Sequence, residues 1–378
     1  MRVLLKNAVL LDALHDYEKR DILTEDGRIR AVAPSIEAAA DEIVDMTGCT
    51  VMPGIINCHV HMTMRRFDGD DAPLKSFAMA GVTAIRDMGY SCAEPYDDFL
   101  DWVRRDRGPA YTQVFAVGKF VAYPGGYGWS APGSDARSGM DAGSVEKALE
   151  TVREQLERGV NAIKIGVGNP PGWRGPEDSP SMPPEIVSAI CAEVRKRGGR
   201  ISAHVEKAKY LEMLVDNGIT ESAHIVGDEV PNRLIRKMLD KNVLLCATLG
   251  MYEDKALTRG ESEAWEHARS NVGRMFRAGV PISVGTDYMP IPERREKAAM
   301  PIYELRVLRQ AGLGIRDVIV AGTLHSAMAC GAQDRMGLLT ENREANIIAV
   351  ASPLDDSFDA MTHVEFVMNR GTIIKNEL

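Results

Sequence analysis

Residues 53–61 read PGIINCHVH, an apolar run that breaks on two histidines one residue apart. In an extended chain successive side chains point to opposite faces, so His59 and His61 share one side while Val60 turns back into packing. Two imidazoles on one side of a strand end can hold a metal ion between them. The same pair can equally be two hydrogen-bonded structural histidines, so the rest of the chain has to decide.

Outward from that stretch runs a rhythm. The apolar runs GVTAIRDMG, TQVFAVGK, VNAIKIGVG, GRISAHV, ITESAHIVG, NVLLCATLG and VPISVGTDY follow it, which makes eight strands. Between them lie stretches such as GSVEKALETVREQLERG, PPEIVSAICAEVRKRGG and AKYLEMLVDNG, with apolar residues at three- and four-residue spacing and a closing glycine, as helices have. Strand alternating with helix eight times predicts an α/β protein with a (β/α)8 TIM barrel over residues 53–339, whose catalytic groups sit at the C-terminal ends of the strands. A doubly wound open sheet is the rival, and no GxGxxG follows the first strand to support it. Residues 1–52 and 340–378 read instead as short strands with turns at Asp26-Gly27 and Arg370-Gly371. Neither end could bury a sheet face alone, so the two are expected to meet as one small β-sandwich domain built from both chain termini. Two long segments rich in glycine and proline, YPGGYGWSAPGSDARSG and GNPPGWRGPEDSPSMPP, follow strands 3 and 4 and are expected to wall a pocket.

Composition narrows the partners. The 378 residues include 45 basic and 54 acidic side chains, a net charge of −9 dispersed along the chain, which disfavours nucleic acid. No run approaches the ~18 uninterrupted apolar residues of a membrane span, and the opening MRVLLKNAVLLDALHDY is broken by Lys6, Asn7 and Asp12, so neither a span nor a signal peptide is expected. Six cysteines lie far apart with no CxxC, which fits a reducing, cytoplasmic setting. The expected partner is a small-molecule substrate, with a homo-oligomer left open.

The histidines can then be weighed together. Of eight, His59 and His61 end strand 1, His204 ends strand 5 and His224 ends strand 6, while Asp287 closes strand 8 in VGTD. A lone buried histidine is more often a satisfied core residue, but five chelating groups at one end of one barrel are not explained that way. Imidazole and carboxylate in that ratio suit zinc, or another divalent first-row ion such as manganese or cobalt. His15, His267, His325 and His363 read as structural or exposed. Trp129, Trp173, Arg174, Tyr252 and Tyr288 lie in loops or at strand ends near the predicted mouth, where each suits either substrate contact or packing.

With these residues in place the chain resembles the amidohydrolase superfamily over nearly its whole length. PGIINCHVHM looks like that family's strand 1 signature, GVTAIRDMG its strand 2, NAIKIG its strand 4 lysine, SAHV and ESAHI its strand 5 and 6 histidines, and VGTD its strand 8 aspartate. The C-terminal stretch from GLLTENREANIIAV to FVMNRGTII resembles the closing sandwich segment, with Asn346 where an aspartate is common. Within the superfamily the resemblance is to the prolidase-like and imidazolonepropionase-related hydrolases.

The resemblance implies two divalent metal ions, with His59, His61 and Asp287 on one, His204 and His224 on the other, and Lys164 between them as a CO2-derived carbamate. An ammonium there would repel the ions, whereas a carbamate is an anionic bridge, and Lys164 between Ile163 and Ile165 is not a surface pattern. The implied reaction is hydrolysis of an amide C–N bond in a small molecule such as an N-acyl amino acid or dipeptide. Two cations sharing a hydroxide lower its pKa and polarise the carbonyl, and Asp287 passes the proton to the leaving amine. A lactone, carbamate or ester suits the same apparatus. A mononuclear deaminase on this scaffold is the alternative, although such enzymes usually carry a glutamate where this chain has Lys207. Prolidase-like relatives often carry a histidine where GGYG places Tyr127 and an aromatic residue where Glu206 stands. Tyr127, Glu206 and Tyr252 are the substrate-contact candidates. If the strand continues, Glu206 faces the mouth as an unpaired carboxylate favouring cationic groups; if the helix has begun, it pairs with Lys209 or Tyr210 in solvent.

Overall fold

The N-terminal end carries alternating apolar and polar residues, and alternation of that kind buries one face of a strand. The computed structural model describes residues 1–62, 71–89, 96–129, 139–168, 181–288 and 300–378. It begins with Arg2–Leu11 (β1), Asp16–Glu25 (β2), Arg28–Ala33 (β3), Glu42–Asp45 (β4) and Cys49–Pro53 (β5). The β2–β3 turn falls on Asp26 and Gly27, at φ 51° and 78°, as the Asp-Gly pair predicts. Only Gly54 separates β5 from Ile55–Val60 (β6), which carries His59.

From β6 onward the strands are parallel. They are Val82–Asp87 (β7), Gln113–Ala116 (β8), Val121–Ala122 (β9), Met140–Asp141 (β10), Ile163–Gly166 (β11), Ile201–His204 (β12), Glu221–Ser222 (β13), Leu244–Cys246 (β14) and Ile282–Ser283 (β15). One parallel sheet runs β6-β7-β8 and a second runs β10-β9-β11-β12-β13-β14-β15. Backbone N–H groups of Cys58 and Asp287 donate to the carbonyls of Val284 and His59, both at 2.9 Å, tying the chain after β15 to β6. On the other side Asn161 donates to the Ala116 carbonyl at 2.8 Å, and Val121 pairs with Ile165. The run TQVFAVGK, residues 112–119, is expected as one strand; it forms β8 only as far as Ala116, and the second sheet begins just beyond it at β9. Gln155 takes up the backbone between them: Lys119 N–H donates to its Oε1 at 3.2 Å, and its Nε2 donates back to the Lys119 carbonyl.

Helices fill the intervals where the three- and four-residue spacing placed them. Val145–Glu157 starts at Ser144, whose hydroxyl accepts from Lys147 N–H, and Ala208–Asn217 ends at Gly218 in the left-handed region. Their buried faces, with Val152, Leu211 and Leu214, join Ile163, Ile165 and Ile201 of the strands in one apolar core. Within the parallel sheets Arg86 is fully buried and forked onto Glu221 at 2.8 and 2.5 Å, with further donations to the carbonyls of Cys58 and Ala329. A guanidinium in that position is tolerated because each contact is a charge-assisted or carbonyl hydrogen bond.

Ile347–Ala351 (β16), Phe366–Asn369 (β17) and Thr372–Asn376 (β18) return the chain to its beginning. They extend one sheet in the order β18-β17-β16-β5-β1-β2-β3, with β4 on β1, and β16 lies antiparallel to β5. The two ends therefore meet by hydrogen bonding within a single sheet. That sheet owns a core of its own, including Val3, Leu5, Ile22, Ile347 and Phe366.

Candidate active site

β6 delivers two imidazoles to one carboxylate. His59 Nε2 lies 3.3 Å from His61 Nε2, and the two stand 3.3 and 3.1 Å from the same oxygen, Oδ1 of Asp287. The other nitrogen of His59 is 3.0 Å from the Ala223 carbonyl. A carbonyl only accepts, so Nδ1 carries the proton and Nε2 aims a lone pair at Asp287. Burial holds His59 down at about 3, aided by the nearby Lys164 charge, so the ring is neutral near neutral pH. Burial pushes the Asp287 carboxyl up, but the contacts to His59 and His61 outweigh it and hold it well below the usual carboxylate range. With that tautomer the His59 lone pair and the Asp287 oxygen are two acceptors 3.3 Å apart, an arrangement that a cation bound between them would make favourable.

Two more histidines close the group. His224 places Nδ1 2.9 Å from the Thr248 hydroxyl, which orients the ring; where that hydroxyl accepts, Nε2 is left as the lone pair. His59, His224 and Asp287 offer ligand atoms that all lie within 4.8 Å of one another. The His204 ring centroid is 4.6 Å from that of His224, and Tyr127 stacks on its other face at 3.6 Å and 8°. Burial lowers the basicity of His204 and His224 well below that of an ordinary histidine. Lys164 rises from β11, 1% exposed, and burial brings its amine down to about 8. Lys164 Nζ, both ring nitrogens of His204 and Nδ1 of His61 are buried without a hydrogen-bond partner. Orphans of this kind cost about 1–3 kcal/mol each and mark positions kept for a ligand. The donor set of imidazole, carboxylate and amine fits a divalent metal.

Two glycines make room for this packing. A Cβ at Gly285 would meet Cys246 Sγ at 2.4 Å and His59 Cβ at 2.5 Å, so the VGTD strand can lie against β6 only with glycine there. A Cβ at Gly166 would meet the Tyr127 backbone and ring at 2.6 Å, so the same residue type lets Tyr127 reach His204.

A cleft of about 570 Å³, counting its open mouth, lies beside Asp287 between Met251, Asp254, Tyr288, Tyr303 and Glu304. Glu206 reaches this end of the sheet and is met neither by Lys209 nor by Tyr210. Its Oε1 stands 3.7 Å from Lys255 Nζ and 3.9 Å from His204 Nε2. The expectation of an unpaired carboxylate, or of one paired in solvent, is corrected by a lysine from the helix Leu249–Arg259. Tyr252 is 4% exposed and donates its hydroxyl to the Ile225 carbonyl at 2.8 Å. Trp173 and Arg174 lie outside the described residues. Thr248, Lys255 and Glu304 were not singled out from the sequence. Thr248 alone had a signal, as a polar residue two positions beyond Cys246 at the end of an apolar strand.

Residues 50–375 match the sequence profile of the amidohydrolase family. A 5'-deoxyadenosine deaminase of Methanosarcina mazei is 25% identical over 413 aligned positions, covering 96% of this chain and 88% of its own. Two solved structures, an amidohydrolase at 24% identity and a Xaa-Pro dipeptidase with bound methionine at 17%, each align over 100% of both chains with a TM-score of 0.83. At those identities they show a shared fold. The profile spans everything from β5 to β18, the described ligand candidates included, and the chain accordingly belongs to the amidohydrolase family, hydrolases acting on carbon–nitrogen bonds.

Proposed function

We propose that the protein is a binuclear metal-dependent hydrolase that cleaves an amide bond of a small molecule, an N-acyl amino acid or dipeptide being the substrate class in view. The observation that carries this reading is the Lys164 amine, buried and without a hydrogen-bond partner beside His59 and His204. As an ammonium it repels any cation held by those histidines; as a carbamate it becomes an anion with two oxygens, one for each of two ions. Carbamate formation needs the neutral amine, and an amine brought down to about 8 supplies it. His59, His61 and Asp287 would hold one ion and His204 and His224 the other, with carboxylated Lys164 bridging, and zinc suits that set. Bound divalent ions supply an activated water and a polarised carbonyl. Asp287, which lines the cleft, takes the proton released in attack and returns it to the departing amine. The cleft beside it opens to solvent next to that carboxylate, where a substrate would enter.

The scaffold we propose is a closed (β/α)8 barrel over residues 53–339, with residues 1–52 and 340–378 as a terminal β-sandwich domain. The backbone bonds that link β6 to the chain after β15, and β8 to the start of β11, support closure of the two parallel sheets into one ring. The separate terminal core supports folding of the end sheet onto itself. Cys49, Cys58, Cys191, Cys246 and Cys330 are free thiols, in keeping with a reducing cytoplasmic setting, and among the described residues no helix is long and apolar enough to cross a membrane.

A mononuclear deaminase is the second reading, favoured by the deaminase relative and by the Glu206 carboxyl 3.9 Å from His204. Elemental analysis of active protein separates the two, with about two divalent ions per chain expected for the hydrolase and about one for the deaminase. A product screen runs beside it. Release of amino acid from N-acyl amino acids supports the first reading, and release of ammonia from aminopurine nucleosides with a single ion would replace it with the second.

A further inference from the structure

We propose that Glu304 is a positioning residue for the metal centre, clamping the turn after β14 so that Thr248 receives the Nδ1–H of His224 and the ring's other nitrogen stays aimed at the ion. The inference rests on His224 being an ion ligand.

It starts from strain. Thr248 is a β-branched residue at φ 44° and ψ 36°, in the left-handed region. That conformation costs an L-residue about 1–2 kcal/mol and persists only where the surroundings over-determine it. Here one restraint is the carboxyl of Glu304, which burial pushes up to about 8 against the pull of two backbone N–H groups. The two residues after Thr248 open the helix Leu249–Arg259, and their N–H groups have no partner inside that helix. Leu249 N–H donates to Glu304 Oε1 at 2.8 Å and Gly250 N–H to Oε2 at 2.7 Å. Glu304 comes from another helix, Ile302–Gln310, and is 1% exposed. The approach is close: a Cβ on Gly250 would stand 3.1 Å from Glu304 Oε2 and 2.8 Å from the Tyr303 ring.

The clamp then reaches the site in one step. Thr248 is fully buried, and its hydroxyl is the partner of His224 Nδ1 at 2.9 Å. A backbone relaxed out of the left-handed region would swing that hydroxyl away from the ring. His224 would then lose both its fixed tautomer and its orientation, the two properties an outer hydrogen bond gives a metal-bound imidazole. A carboxylate that served the helix end alone would affect stability and nothing more. Glu304 sits where the same two hydrogen bonds also set the geometry of a ligand.

The test uses the full chain, stripped by chelator and refilled with zinc or cobalt. Glu304→Gln keeps the shape but sets an amide donor against a backbone N–H; Thr248→Val removes the hydroxyl at nearly constant volume, and Thr248→Ser keeps it. Zinc affinity by chelator competition, the visible spectrum of the cobalt protein and the Tm of the stripped protein are read on each. Glu304→Gln and Thr248→Val should each weaken zinc binding by about 10–100-fold and alter the cobalt spectrum, Thr248→Ser should stay near wild type, and the double variant should lose much less than the product of the two. A Glu304→Gln protein with lowered Tm but wild-type zinc affinity and cobalt spectrum would make Glu304 a helix cap only and overturn the proposal. If that variant does not fold, Gly250→Ala, whose methyl presses on the carboxylate, is read by the same criteria. Wild-type protein that binds neither ion would overturn the metal-centre reading itself, an outcome distinct from unchanged binding in the variants.

Discussion

Asp287→Asn is the substitution that isolates proton transfer. Asp287 sits at φ 51°, a conformation asparagine accepts more readily than other non-glycine residues, so the turn and the 2.9 Å hydrogen bond from its N–H to the His59 carbonyl should survive. An asparagine Oδ1 can still face His59 and His61 where the carboxylate oxygen stands at 3.3 and 3.1 Å. The other terminal atom becomes an amide nitrogen, which neither takes nor returns a proton at neutral pH. General acid–base catalysis contributes about 10²–10⁴-fold, so kcat should fall at least about 100-fold, or ~2.7 kcal/mol of barrier. Substrate binding should change far less, because asparagine keeps the shape of Asp287 and the other cleft walls are untouched. The assay is steady-state hydrolysis of the best N-acyl amino acid, with wild type and variant brought to the same ion content by elemental analysis. Asp287→Ala is not equivalent: alanine at φ 51° adds about 1–2 kcal/mol of backbone strain and mixes structural loss with chemical loss. A variant kcat within about threefold of wild type at equal ion content would refute the reasoning and move the proton to another group, Glu206 first.

Lys164→Ala should lose bound ions and turnover together, and a short carboxylic acid should partly restore both, whereas Lys164→Arg should not recover because a guanidinium stays cationic; full activity in Lys164→Ala would make the lysine a strand residue only. Ion-free protein should lose stability as pH falls. Burial keeps His59 at about 3 against an ordinary value of 6.5, so between those values the unfolded chain binds the extra proton, and His59 alone removes about 2 kcal/mol between pH 7 and pH 5. His204 and His224 shift in the same direction, and a Tm that stays flat over that range would contradict the neutral assignment. Glu206→Gln leaves Lys255, now 3.7 Å from the carboxylate, unopposed, so the ratio of kcat/KM for anionic over cationic amides should rise by about tenfold; an unchanged ratio would remove both residues from substrate reading.

The sequence shows the candidate ligands because each ends an apolar strand. His59, His61, His204, His224 and Asp287 stand out where hydrophobic runs stop, and β6, β12, β13 and β15 lead into them. The meeting of the two termini was legible for a related reason: each end has too few residues to bury a sheet face, and β5 and β16 solve that jointly. The partner of Glu206 was not legible. Periodicity places Lys255 on a helix, but which helix leans over which strand end is decided by packing of the whole sheet, and so two local partners were expected where a distant one is found. Tyr252 is of the same kind, its hydroxyl directed to the Ile225 carbonyl by the path of a neighbouring strand.

What remained hidden sets which nitrogen each candidate ligand presents. Whether an imidazole presents Nδ1 or Nε2 depends on what its other nitrogen meets. For His59 that is the carbonyl of Ala223, a group every residue possesses and no side chain announces. For His224 it is the Thr248 hydroxyl just beyond β14, in a left-handed turn whose next residue, Leu249, donates its N–H to a glutamate 55 residues further along the chain. Neither arrangement has a spacing or a motif. Both follow from closing the strand ends around one point, which brings backbone acceptors and distant side chains within 3 Å of rings they do not neighbour in sequence. If Glu304 and Thr248 position His224 as proposed, a chain can keep every candidate ligand and still lose the site through either of them, and in such a variant the histidine pattern would read as intact while zinc affinity had fallen.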